Sequence, residues 1–112
     1  MSKILDITGK LKRKEASAIE ITKAYLETIA SKDKEYGAMI TVFSDDAIKQ
    51  ANLLDRSLKN GSEPGVLCGV PVIIKDNILV RGQLCTAGSN ILRKYVATYD
   101  ATVITRLVNA GA

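Results

Sequence analysis

Apolar residues recur along this chain in two patterns, and the change from one to the other divides it. Over roughly the first sixty positions they return every three or four residues, the spacing of an amphipathic helix. Ile4, Ile7, Thr8 and Leu11 predict a short helix over residues 2 to 13, weakened by Gly9. Ser17-Ala18-Ile19-Glu20 reads as a capping box, in which the serine hydroxyl satisfies an orphan amide and the glutamate reaches back. Behind it, Ala18, Ile21, Tyr25 and Ile29 form one apolar stripe of a second helix. Ala47, Ala51, Leu54 and Leu58 share a third face, on a helix capped by Ser44 or Asp45 and stopped near Asn60-Gly61. The second pattern is a run. In Gly69-Val70-Pro71-Val72-Ile73-Ile74-Lys75-Asp76-Asn77 the apolar residues are continuous and mostly β-branched, which predicts a strand buried on both faces. Met39-Ile40-Thr41-Val42-Phe43 predicts a shorter strand, and Ile78-Leu79-Val80 either another strand or part of a loop. Leu84 to Ser89 has the small, polar composition of a turn or a close-packed loop. Asp100 is placed to cap a last helix carrying Val103, Ile104, Leu107 and Val108.

Helix–strand–helix–strand–helix order implies an α/β fold. A doubly covered strand needs partners on both edges, and two or three strands make a marginal sheet. The expectation is therefore a mixed β-sheet covered by helices that is incomplete in this chain, which reads as the N-terminal piece of a larger protein. No internal repeat or low-complexity linker interrupts it.

With 112 residues the chain is one domain at most. Aromatics are scarce, with one Phe, four Tyr and no Trp, so the core must be aliphatic. No window approaches ~18 consecutive apolar residues, and Met1-Ser2-Lys3-Ile4-Leu5-Asp6 lacks the apolar core of a cleavable signal. A cytoplasmic address follows by default. Cys68 and Cys85 are too few for a disulfide framework and read as reduced core thiols, although one bridge is geometrically open. The chain has no histidine, which removes ordinary zinc sites and every dyad or triad with imidazole as base. The net charge of +4 is carried in part by Lys10, Lys12, Arg13 and Lys14. That cluster fits a solvated helix end, where cations suit the helix dipole, and less well an RNA contact, since no aromatics interleave it.

Acid–base chemistry here must use Lys, Asp, Glu, Tyr or Cys, and Lys75 is the candidate. At the mouth of an apolar strand a lysine is partly desolvated, which lowers its pKa and lets the neutral amine act as a general base for a hydroxyl nucleophile. The bland alternative is a charged, solvated Lys75 loosely paired with Asp76. Asp76 and Asn77 read either as an Asx turn ending the strand or as groups that hold nearby backbone and orient the lysine. If Lys75 is a base, Asp76 must point elsewhere, because a close carboxylate favours the ammonium. Thr86, Gly88 and Ser89 either line a site or make a tight turn, and Cys85, with no histidine beside it, reads as a packed thiol. No phosphate-binding glycine motif or metal cluster is apparent.

The stretch GVPVIIKDN resembles the signature of the amidase signature family, in which a Gly-[Ile/Val]-Pro strand runs into Lys-Asp-Asn. Further motifs follow in the family's order: Gly82, CTAGS from Cys85 to Ser89, DATV from Asp100 to Val103, and AGA from Ala110 to Ala112. Cys85 stands where many members have Thr. The resemblance covers essentially the whole chain and implies that residues 1–112 are the N-terminal portion of a single amidase domain, with a helical segment 1–65 and the start of the catalytic core at 66–112. It implies a Ser–cis-Ser–Lys triad whose lysine is Lys75 and whose two serines lie in a Gly/Ser-rich segment not found here. Alone, the chain is expected to be inactive.

Within the family, the helix ASAIEITKAYLETI and the segment SNIL resemble most closely the glutamine-hydrolysing subunits of tRNA-dependent amidotransferases. That likeness implies glutamine as substrate, subunits B and C as partners, and ammonia delivered to an ATP-activated aminoacyl-tRNA. ATP and magnesium would then be used at the partner subunit, with no cofactor bound by this chain, in the cytoplasm or in a eukaryotic organelle. Three other readings compete: a fragment of a stand-alone amide hydrolase, a non-catalytic scaffold form, and a small basic RNA-binding domain.

Overall fold

The computed structural model describes residues 2–112, which form four α-helices and one isolated antiparallel bridge, Leu84 to Val96. Two compact units divide the chain. The first runs to Pro71 and regains Ala110–Ala112, and the second is Val72–Asn109.

In the first unit, α1 (Lys3–Lys12), α2 (Ala18–Tyr36) and α3 (Ser44–Lys59) appear where the apolar period predicts helices. Ile7 and Leu11 of α1, Ala18 of α2 and Ala51 of α3 join Cys68 and Val70 in one buried cluster, with Ile19, Ile21, Leu54, Leu58 and Leu67 packed around it. Half of those six buried residues are Ala or Cys; the small Ala18 and Ala51 suit the close approach of α2 and α3, and the aliphatic residues around the rim pack against the cluster. Thr8, the buried polar member, donates its hydroxyl to the Ile4 carbonyl at 3.0 Å and needs no outside partner.

The helix ends follow local rules. The capping box at α2 forms as expected: Glu20 N–H donates to Ser17 Oγ at 3.2 Å, and Ser17 N–H to the Glu20 carboxylate at 2.8 Å. A second cap was not foreseeable from local sequence. The Asp55 carboxylate, on α3, accepts from the amides of Ala18 at 2.8 Å and Ile19 at 3.2 Å, so α3 closes the start of α2. Asn60-Gly61 ends α3, with Gly61 left-handed at φ 86°, its N–H donating to Leu58 and that of Ser62 to Ser57. The same motif ends α1 without glycine. Lys14 takes the left-handed position at φ 56°, while Lys14 N–H reaches Leu11 and Glu15 N–H reaches Lys10.

The turn preceding the GVP segment is held within this unit by the returning C-terminal residues. Leu67 N–H donates to Ala110 and Gly69 N–H to Gly111, each at 2.8 Å. Glycine suits position 69: its φ is +69°, and a Cβ there would stand 2.2 Å from Leu11 Cδ1, so that buried side chain would have to move.

The second unit is mostly irregular, with α4 (Thr102–Asn109) as its helix. Cys85, Ala97 and Ile104 are its buried apolar residues, and hydrogen bonds supply the rest of its order. Ala97 N–H donates to Gln83, Gly82 N–H to Ala97 and Ala101 N–H to Leu79.

Several expectations need correction. Neither Met39–Phe43 nor Val70–Ile74 is a strand, and the mixed sheet does not form among the described residues. At the first site the chain is captured locally: the Asp33 carboxylate accepts from the amides of Ala38 at 2.8 Å, just before the expected strand, and Met39 at 3.2 Å, its first residue. At the second, the run has no neighbouring strand, and a strand exists only through a ladder. Val72 and Ile73 are consequently 44% and 70% exposed, where burial on both faces was expected. Helix α3 begins at Ser44, with Phe43 rather than Ser44 or Asp45 in the capping position. Asp100 does not cap α4; its carboxylate accepts from the Arg81 amide at 2.7 Å, and the helix opens on the Ala101 carbonyl.

Candidate functional site

Lys75 lies in the irregular segment that opens the second unit and is exposed. The desolvation expected at a strand mouth is therefore absent here, because no strand forms to wall it in. Its carbonyl accepts from Ile78 N–H at 3.0 Å, closing a tight turn over Lys75-Asp76-Asn77-Ile78. No ion pair joins Lys75 to Asp76 among the described residues; the ion pairs present are Lys10 with Asp6 and Arg13 with Glu15. Two of the four cations in the N-terminal basic cluster are thus engaged by carboxylates.

Asp76 turns away from the lysine and into the CTAGS loop. Its carboxylate accepts from the Thr86 hydroxyl, from Thr86 N–H at 3.0 Å and from Gly88 N–H at 3.4 Å. Its backbone carbonyl accepts from Ala87 N–H at 2.7 Å and from the Cys85 thiol at 3.4 Å. All five donors come from four consecutive residues. Ala87 at φ 48° and Gly88 at φ 67° are both left-handed, a curl that turns successive amides towards one acceptor. The Thr86 hydroxyl, and after it the Thr86 and Gly88 amides, holds the Asp76 carboxyl below the usual carboxylate range.

The remaining candidates fall into place around this clamp. Thr86 is not a free hydroxyl, since it donates to Asp76 and accepts from Gly88 N–H at 3.2 Å. Ser89 Oγ accepts from Ile91 N–H at 3.3 Å, a turn contact. Cys85 is buried with its thiol directed at a carbonyl, and both cysteines are free thiols. Burial pushes the Cys68 thiol up, away from the reactive thiolate. Among the described residues no group of three or more His, Cys, Asp or Glu is arranged to hold a metal ion, and no helix is long and apolar enough to cross a membrane. Sequence reasoning asked only that Asp76 point away from Lys75. It missed where the carboxylate would go, because the partner lies ten residues on and nothing periodic marks it.

The sequence motifs therefore meet in pairs, Lys-Asp-Asn with CTAGS in the second unit and the turn before GVP with AGA in the first. Residues 20–112 match the Amidase family profile, and the chain belongs to that family of amidase signature proteins. Its similarity extends to particular members. It is 42% identical over 107 residues to the A subunit of glutamyl-tRNA(Gln) amidotransferase from Carboxydothermus hydrogenoformans, covering 96% of this chain and 22% of that protein. To the protein of the same name from Prosthecochloris aestuarii it is 46% identical over 108 residues, with the same coverage. Among solved structures it resembles a peptide amidase in complex with the competitive inhibitor chymostatin, at TM-score 0.92 and 32% identity, over 99% of this chain and 23% of that one. The chain thus spans between a fifth and a quarter of the length of the relatives it matches.

Proposed function

We propose that this chain is the N-terminal portion of the single amidase domain of a glutamine-hydrolysing subunit, part of an amidotransferase that acts on aminoacyl-tRNA. Identity of about two residues in five to the A subunit of glutamyl-tRNA(Gln) amidotransferase, across 96% of the chain, is the observation that carries this reading. Residues 66–112 open the catalytic core. In the complete protein Lys75 is the base of a Ser–cis-Ser–Lys triad: the neutral amine accepts a proton from the bridging serine, which in turn takes one from the attacking serine. The serine attacks the glutamine carboxamide, ammonia leaves, and water releases glutamate. Partner subunits B and C carry the ammonia onward, and ATP with magnesium activates the aminoacyl-tRNA there. The exposure of Lys75 is compatible with this role, since the two serines and the walls that would desolvate the amine belong to other parts of the domain.

Glutamine hydrolysis by the full-length protein assembled with its partner subunits tests the reading. Lys75→Ala abolishes ammonia release while circular dichroism stays unchanged. Lys75→Arg is equally inactive, because a guanidinium remains protonated and cannot serve as base. Near-normal turnover by the arginine variant would refute the assignment. The 112-residue chain alone releases no ammonia.

A second reading is favoured by the likeness to the peptide amidase: a stand-alone hydrolase of small amides with the same lysine base. It predicts amide hydrolysis by the full-length protein without any partner subunit or tRNA.

A further inference from the structure

We propose that Asp76 is a positioning residue for Lys75, and that the CTAGS loop is the anchor through which it acts. This inference rests on Lys75 being the base. A lysine side chain has four rotatable carbons, so the place of its amine depends first on how firmly its own backbone is held. Here the backbone is held at the lysine's own carbonyl and at the residue that follows it. The Lys75 carbonyl accepts from Ile78 N–H, and the next residue takes five donors from Cys85, Thr86, Ala87 and Gly88.

The arrangement also handles charge. An adjacent carboxylate would by itself stabilise the ammonium and oppose proton acceptance. Asp76 directs its carboxylate into a hydroxyl and two amides instead, so its charge is satisfied by backbone and hydroxyl donors and no ion pair with Lys75 forms. A carboxylate suits this place better than an amide. All the groups facing its two oxygens are donors, and an asparagine would turn an NH2 towards at least one of them.

Steady-state glutaminase kinetics of the full-length enzyme with its partner subunits test the proposal, normalised to the concentration of titrated active sites. Four variants are compared: Lys75→Ala, Asp76→Asn, Thr86→Val and Thr86→Ser. Misplacing a catalytic group by about 1 Å costs up to roughly 100-fold. Asp76→Asn is therefore expected to lower kcat per active site by about 10- to 100-fold with KM for glutamine unchanged. Thr86→Val gives a smaller fall of the same kind, and Thr86→Ser, which keeps the hydroxyl, restores it. A merely structural role lowers the yield of folded enzyme but leaves kcat per active site intact. That result for Asp76→Asn, beside an inactive Lys75→Ala, overturns the positioning role and leaves the base assignment standing. An active Lys75→Ala overturns the base assignment, and the positioning role with it.

Discussion

The two units of this chain are ordered by different forces. In the first, three helices bury Ile7, Leu11, Ala18, Ala51, Cys68 and Val70 together. In the second, three small or medium apolar residues are buried, and hydrogen bonds do much of the ordering: Asp76, through its carboxylate and its carbonyl, gathers the Cys85–Gly88 loop, and the Asp100 carboxylate holds the Arg81 amide. Apolar burial is non-directional and tolerant of detail, whereas a carboxylate facing backbone amides specifies the position of individual atoms. The unit that carries Lys75 buries less and leans more on such bonds, while the first unit adds them, at Asp33 and Asp55, to an apolar cluster.

The contrast breaks most visibly at Leu11, which is 5% exposed and packs against the Gly69 turn. Leu11→Ala removes buried contacts and leaves a cavity, at an expected cost of about 2–5 kcal/mol to the first unit. Native-state amide exchange in α1 to α3 measures it, and a loss under about 1 kcal/mol would show that burial does not order this unit. Asp55 tests whether the first unit also depends on directional bonds. Asp55→Ala takes the acceptor from the Ala18 and Ile19 amides and is expected to cost about 1 kcal/mol, with Asp55→Asn costing less.

Two left-handed residues without glycine sharpen the comparison from the other side. Lys14 ends α1 at φ 56° and Ala87 lies in the clamp loop at φ 48°. A β-carbon in that conformation costs roughly 1 kcal/mol, so Lys14→Gly and Ala87→Gly should each be neutral or stabilising by up to about that amount. Thermal unfolding reads the first, and exchange of the Thr86 and Gly88 amides reads the second.

Acid produces the most local effect. Asp76 has its carboxyl held below the ordinary value by Thr86 and Gly88. Its contribution is fully present above the unfolded carboxyl pKa of about 4 and is lost as pH falls through the lower, folded value. Protection factors of the Thr86 and Gly88 amides should therefore collapse in that range. Glu20, held low first by the Ser17 amide, gives the same sign at the start of α2. Loss of order at Leu11 before Thr86 on acidification would reverse the comparison.

How much was legible in the sequence follows the same division. The three N-terminal helices, the capping box at Ser17 and Glu20 and the stop at Gly61 were readable, because each depends on residues within four or five positions of one another. The Lys-Asp-Asn motif and the loop that follows it were readable as motifs, but not as partners. The strands were over-read. Contiguous Val72, Ile73 and Ile74 satisfy the pattern of a buried strand, yet a strand is a property of two segments, and among the described residues its partner is absent.

The sequence by itself determined the helices, the capping box of α2, the stop of α3 and the family, since periodicity, these local signals and ordered motifs are local or linear properties. Only the tertiary structure decided that Asp55 closes α2, that Asp33 captures Ala38 and Met39, and that Asp76 faces Thr86 and Gly88 instead of Lys75. The reason is physical: a carboxylate has several acceptor sites and no periodic signature, and which donors it meets depends on how the chain folds back upon itself.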